Sequence, residues 1–170
     1  MTTNATVHLR AIEPEDLDLL YKTENDEGLW QIGTTNVPYS RYTLHDFIAN
    51  SQDDIYADRQ VRLIIENSQR QVVGMADITQ FDPRHLRAEV GIVVMAAQRR
   101  QGYATEALHA LAEYSQHILH LHQLYAVVAA DNTAALELFR KSHFDREQPL
   151  REWLFDGKDF SDAVLLQRFL

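Results

Sequence analysis

Val90-Gly91-Ile92-Val93-Val94-Met95 runs almost without a polar side chain and stops just short of the loop Gln98-Arg99-Arg100-Gln101-Gly102-Tyr103-Ala104. A run so short and so apolar reads as a strand buried on both faces, so the chain must supply covering layers above and below it. After the loop the period changes. Ala104, Leu108, Leu111, Ser115 and Ile118 recur at three- and four-residue spacing, which predicts a long helix from about Gly102 with that stripe on the core.

The same reading extends in both directions. Val7 to Ile12 alternates as a half-buried strand, and Pro14 suits the first turn of a helix reaching about Asn25. Asn36-Val37-Pro38-Tyr39 breaks the chain before a second helix over residues 43–56, with Thr43 as its expected cap. Residues 60–66 and 71–81 read as strands around a turn at Asn67-Ser68-Gln69-Arg70, and residues 87–95 as the buried strand. Residues 124–130 are expected as a strand, 132–141 as a helix, and the tail as a hairpin across Asp156-Gly157. The order is strand, two helices, three strands, helix, strand, helix, two strands. It predicts an α/β fold (α+β) with a mixed sheet, mostly antiparallel at its start.

Composition limits what this fold serves. The chain has 170 residues, 45% of them hydrophobic, which suffices for one domain with a real core. With no cysteine, disulfides, thiolate nucleophiles and cysteine-based metal sites are excluded. No apolar run reaches the ~18 residues of a membrane span and the first residues lack signal-peptide character, so a cytoplasmic protein is expected. A net charge of -9 argues against nucleic acid. That charge is uneven: residues 1–60 hold eleven acids against four bases, while residues 61–170 hold fourteen against twelve. The excess is either a solvated helix face or a field that attracts cationic ligands.

The loop at 98–104 carries the chemistry. Backbone N–H groups at a helix start lack intrahelical acceptors and gather around an anion; Gly102 permits close approach, Ala104 keeps the next turn clear, and Arg99 and Arg100 add positive charge. There is no G-x-x-x-x-G-K-[ST] run and no G-x-G-x-x-G, so nucleotide P-loops and dinucleotide folds are excluded.

At these residues the chain resembles the GNAT superfamily of N-acetyltransferases, whose acetyl-CoA loop reads [QR]-x-x-G-x-[GA]; here it is Arg99-x-x-Gly102-x-Ala104. Asn132-x-x-Ala135-x-x-Leu138-Phe139-x-Lys141-x-x-Phe144 is similar to the family's N-x-x-A-x-x-[LI]-Y-x-K-x-G-F block. The tail Asp156-Gly157-Lys158-Asp159-Phe160-Ser161-Asp162 resembles the closing hairpin of the branch of ribosomal-protein N-terminal and spermidine N-acetyltransferases. The resemblance spans nearly the whole chain. It implies a central sheet with a splayed strand pair and helices on both faces. It also implies acetyl-CoA as donor, with Ile92, Val93 and Val94 pairing its pantetheine arm, the amides of Arg99, Arg100, Gln101, Gly102, Tyr103, Ala104 and Thr105 holding its pyrophosphate, and Asn132 and Lys141 meeting it from the next helix. No metal is implied.

An alkylamine acceptor is protonated at neutral pH, so a base is needed. The resemblance places one at Glu89 in Ala88-Glu89-Val90, with His85 as second candidate; the plain alternative is that Glu89 pairs with Arg87 or Arg84. Trp30 and Tyr39 flank the segment where this branch carries its acceptor loop. The acid excess of the first third favours a small cationic, polyamine-like amine as acceptor, although the spermidine N-acetyltransferases carry glutamates just before their Pro-Tyr pair where Asn36 and Val37 stand here. A protein N-terminus, an aminoglycoside or an amino-acid derivative stays open as acceptor, and a homo-oligomer as assembly, and neither nucleic acid nor membrane is expected as partner. Two departures stand out. Phe139 replaces the tyrosine that protonates the departing thiolate, leaving water, Ser142 or Tyr103 for that task, and His143 replaces a glycine. They keep open the alternative of a catalytically silent acyl-CoA-binding domain. His109, His117, His120 and His122 read as surface histidines, and Trp153 and Phe155 as core or dimer packing.

Overall fold

The computed structural model describes residues 5–30, 37–51 and 54–170. In chain order its elements are β1 (Val7–Ala11), α1 (Leu17–Glu24), α2 (Glu27–Trp30), α3 (Arg41–Ala49), α4 (Ile55–Asp58), β2 (Val61–Asn67), β3 (Val72–Asp82), β4 (Arg87–Val94), α5 (Tyr103–His117), β5 (Gln123–Ala129), α6 (Thr133–Lys141), β6 (Arg146–Phe155) and β7 (Phe160–Phe169). The described strands form one seven-stranded sheet in the order β1-β2-β3-β4-β5-β7-β6. Every neighbouring pair is antiparallel except β4 and β5. This is the mixed, mostly antiparallel α/β fold expected from the element order.

Helices cover both faces. Alternate residues of the central strands, including Ile78, Ala88, Val90, Leu124 and Ala126, pack with Ala107, Leu108, Leu111 and Ala112 of α5 and with Leu136 and Phe139 of α6. On the opposite face Leu20 of α1 and Leu44 of α3 close over Ile64 and Met75. Burying on the order of 2 kcal/mol per large aliphatic side chain on each face fixes which residues of β4 point which way.

Three local expectations change. The second helix starts earlier and is interrupted: Ser40, not Thr43, is the cap of α3, its Oγ accepting from the Thr43 N–H at 3.0 Å, and α4 is a separate turn. The α5 stripe is shifted, with Ala107, Leu108, Leu111, Ala112 and Ser115 buried while Ile118 is 62% exposed, because the helix ends at His117 and Ile118 is the residue that caps it. Trp153 and Phe155 do not pack in the core; they are 59% and 60% exposed on the outermost strand, where Phe155 meets only the Phe160 ring, at 4.9 Å, among aromatic partners. Among the described residues no helix is long and apolar enough to cross a membrane.

Candidate active site

The parallel ladder between β4 and β5 is three residues long. Arg87, Ala88 and Glu89 pair with Gln123, Leu124 and Tyr125, and there the ladder stops, although β4 runs on to Val94 and β5 to Ala129. The two strands therefore diverge into a wedge whose apex is the Glu89–Tyr125 rung. On its other edge β4 stays paired to β3 through Val94.

Antiparallel alternation decides which groups of β4 look into the wedge. The Met95 N–H donates to the Val73 carbonyl at 2.9 Å, so Met95 faces β3, and Val93, two residues back, does the same. Val90, Ile92 and Val94 turn their N–H and C=O groups toward the diverging β5. The Val94 carbonyl accepts from the Arg99 Nε at 3.1 Å, which fastens the arginine to the end of the strand. Of the three β4 residues named from the resemblance, Ile92 and Val94 thus open on the wedge and Val93 is occupied by the sheet.

Two helix N-termini follow the carboxyl ends of these parallel strands, the place where open α/β sheets present ligand sites. They differ. At α6 the Asn132 Oδ1 accepts from the Ala135 N–H at 3.1 Å, an ordinary cap. At α5 the capping position is Gly102, at φ +88, and among the described residues no side chain caps the turn. The first intrahelical bond runs from Glu106 N–H to the Gly102 carbonyl, so the amides of Tyr103, Ala104 and Thr105 precede it and point out of the helix end. Arg100 stands beside them at φ +62 with its side chain exposed, and Gln101 donates to the Ala97 carbonyl and the Gln98 Oε1, both at 3.3 Å. A pyrophosphate suits this arrangement: bare amides, a positive helix end and unpaired guanidinium charge, with an unfilled strand edge leading away from it. Lys141 is exposed in the last turn of α6, so it and Asn132 stand at opposite ends of a helix about 13 Å long.

At the apex, strand alternation sends Glu89 and Tyr125 to the face of α1 and α3, since Ala88, Val90, Leu124 and Ala126 occupy the other. Glu89 is half-buried, and burial pushes its carboxyl above the usual glutamate range. Arg87 bridges Asp82 at 3.4 Å, and Glu89 has neither an ion pair nor a hydrogen bond among the described residues. His85 lies exposed in the β3–β4 turn, where its N–H and that of Arg84 both donate to Asp82 Oδ1 at 3.0 Å. Next to this turn is an open depression of about 360 Å³ lined by Arg59, Gln80, Phe81, Asp82 and Arg87.

The remaining candidates scatter. Tyr39 is partly buried against the α1–α3 core; its N–H donates to Asn25 Oδ1 at 2.8 Å and its carbonyl accepts from Asn25 Nδ2 at 3.0 Å. Trp30 ends α2, and Thr34, Thr35 and Asn36 lie outside the described residues. Phe139 is 5% exposed and meets the Phe144 ring edge-on at 5.0 Å, so its position serves packing. Ser142, fully buried with its Oγ unpartnered, is sealed from any ligand. Tyr103 packs partly against the core. His117, His120 and His122 are exposed, whereas His109 is half-buried and stacks on His143 at 5.9 Å. Among the described residues no three His, Cys, Asp or Glu side chains gather in a metal-binding group. Tyr125 escaped sequence reading because only the register of β4 on β5 reveals it.

Residues 6–145 match the Acetyltransferase (GNAT) domain family. A spermidine N(1)-acetyltransferase of Vibrio cholerae is 25% identical over 160 residues, covering 94% of this chain and 91% of that protein. Among solved structures, the spermidine N-acetyltransferase from Vibrio cholerae in complex with CoA and spermine superposes with a TM-score of 0.86 at 23% identity, covering 96% and 95% of the two chains. A dodecameric structure of spermidine N-acetyltransferase from that organism gives a TM-score of 0.80 at 24% identity, with 96% and 93% covered. The strand wedge, the uncapped α5 terminus and the match over residues 6–145 place this chain in the GNAT family of N-acetyltransferases.

Proposed function

We propose that this protein transfers acetyl from acetyl-CoA directly to a primary amine of a small cationic, polyamine-like molecule, or of a protein N-terminus, with Glu89 as base. The observation that carries the reading is the fork itself: a half-buried carboxylate, unpartnered among the described residues, at the point where β4 and β5 part. The amides of residues 103–105 and the exposed Arg100 would hold the pyrophosphate, and the edge of β4 at Ile92 would pair with the pantetheine arm. Acetyl-CoA supplies the activated thioester. The Ile92 N–H, facing the wedge, is placed to donate to a carbonyl oxygen bound there and to stabilise charge developing on it. Glu89 takes the proton of the acceptor ammonium, directly or through one water, at a carboxylate whose raised affinity for protons suits that transfer. With no cysteine in the chain, the acetyl group has no thiolate on which to rest, which favours direct transfer. The polyamine preference draws on the spermidine N(1)-acetyltransferase relative. Assembly into a homo-oligomer belongs to the same reading, supported by the dodecameric neighbour and tested by light scattering.

The test is amine-dependent CoA release from purified protein and acetyl-CoA with polyamines, lysine derivatives and peptides. Glu89→Gln is expected to lower kcat by about a hundredfold or more near neutrality, the deficit shrinking as pH rises and the amine loses its own proton. CoA binding without transfer to any amine would overturn the enzymatic reading.

A further inference from the structure

The rung at the wedge apex pairs two half-buried residues with polar side chains. Glu89 and Tyr125 are direct partners on adjacent parallel strands, about 4.8 Å apart, and both leave the sheet on the α1–α3 face. Neither side chain forms a hydrogen bond or an ion pair among the described residues. Other donors in the neighbourhood are engaged. Arg87 is held by Asp82, Arg62 by Asp77 and Glu24, and the Gln167 amide by Gln123 Oε1 at 2.7 Å. Thr79, opposite Glu89 on β3, carries its hydroxyl one bond from Cβ, close to the level of the sheet. The carboxylate of a glutamate and the hydroxyl of a tyrosine both stand well above that level.

We propose that the Tyr125 hydroxyl is the positioning group of the Glu89 base, donating to its carboxylate through one water and holding it toward the open side of the fork. This rests on reading Glu89 as the base. The phenol is held neutral, and so a donor, by burial and by the negative charge of Glu89, both of which push its ionisation upward. The charged groups that act at this rung are Glu89 itself, Arg87 on the same strand and Asp82 on β3, while Arg62 of β2 is held apart by Asp77 and Glu24. The arginines are fixed in ion pairs, so a change at Tyr125 alters one donor only. A neutral hydrogen bond to the ionised carboxylate favours that form, so its loss raises the titration midpoint of Glu89.

The experiment is Tyr125→Phe in the full chain, with Thr79→Val as control. The first readout is the carboxyl carbon NMR titration of Glu89 in protein without substrate, its signal assigned by Glu89→Gln. The second is the kcat–pH profile. The expected result is a Glu89 midpoint higher by about half to one unit in Tyr125→Phe, an acid limb of kcat displaced equally, an unchanged KM for acetyl-CoA, and no displacement in Thr79→Val. An unmoved midpoint in Tyr125→Phe, or an equal shift in Thr79→Val, overturns the proposal. Because the titration needs no turnover, a shifted midpoint in a protein that acetylates nothing would uphold the pairing and defeat the acetyltransfer reading instead.

Discussion

His143 shows how a single side chain reports on its backbone. It follows the C-terminus of α6 at φ +66, in the left-handed region that glycine enters freely and other residues enter at a cost of about 1 kcal/mol. The resemblance anticipates glycine there, and the backbone has kept the glycine conformation under a histidine. Its ring recovers part of the cost by stacking on His109. His143→Gly is therefore expected to stabilise the protein by about 0.5–1 kcal/mol, raising Tm by roughly 2–3 °C in calorimetry, without changing the KM for acetyl-CoA. A lower Tm would mean that the ring stack outweighs the strain. Gly102 makes the opposite case: at φ +88 it forms the uncapped start of α5, so Gly102→Val combines strain with a side chain beside the bare amides. That change is expected to abolish CoA binding in calorimetric titration while leaving the far-ultraviolet spectrum of the helices in place.

At the level of elements, the wedge depends on β3 as much as on β4. Gly74 lies so close to β4 that a Cβ there would stand 2.2 Å from the Val93 carbonyl. Backbone cannot yield as a side-chain tip can, so Gly74→Ala must push β3 and β4 apart at the very end where β4 presents its open edge. The expected cost is about 2–3 kcal/mol in urea unfolding, together with weakened CoA binding; unchanged values of both would show that the strands slide without consequence. Periodicity made most of this frame legible. The apolar run at 90–95 became β4, the glycine loop became the start of α5, and the turn at Asp156-Gly157 closed β6 on β7. What failed depended on where an element stops or on what it meets. Ile118 fits the α5 period yet faces water because the helix stops one residue before it, and Ser40 displaced Thr43 because its hydroxyl, three residues earlier, accepts from the free Thr43 amide. Trp153 and Phe155, read as core or dimer packing, are kept out of the core because the strand that carries them lies at the sheet edge, which leaves the dimer half of that reading open. The Glu89–Tyr125 rung was out of reach altogether, since a parallel register joins residues 36 positions apart with no local signal between them.

Across the whole molecule the charge of -9 resolves into structure. Helix α1 is tied to the sheet at both ends by an arginine set between two carboxylates. Before it, Arg10 of β1 joins Asp16, through bonds of 2.7 and 2.9 Å, to Glu66 of β2 at 2.6 Å. At its far end Arg62 of β2 joins Glu24 to Asp77 of β3. Asp18 pairs with Arg41, and Asp26 and Asp54 accept backbone N–H groups. Much of the acid excess in the first third therefore anchors the α1–α3 layer rather than addressing a ligand. Burial alone would raise the Asp16 carboxyl, but Arg10 and the Glu13 N–H outweigh it and hold the group below its usual range; Arg10 does the same to Glu66. Carboxyls depressed in the folded state add stability that is complete above their unfolded pKa values, near 4, and disappears as pH falls through the folded ones. The wild-type protein should thus lose stability steeply below about pH 4 in urea titrations. Arg10→Gln leaves Asp16 buried without its partner and should cost about 2 kcal/mol at pH 7, less than for a fully buried pair because Arg10 keeps 26% of its side chain in water. Once pH has fallen through the depressed folded values of Asp16 and Glu66, both carboxyls are protonated in either protein, so the two stability curves should draw together from about pH 4 downward and meet below those values. Curves that stay parallel from pH 7 to pH 3 would show that the Arg10 cluster does not carry the acid sensitivity of the fold.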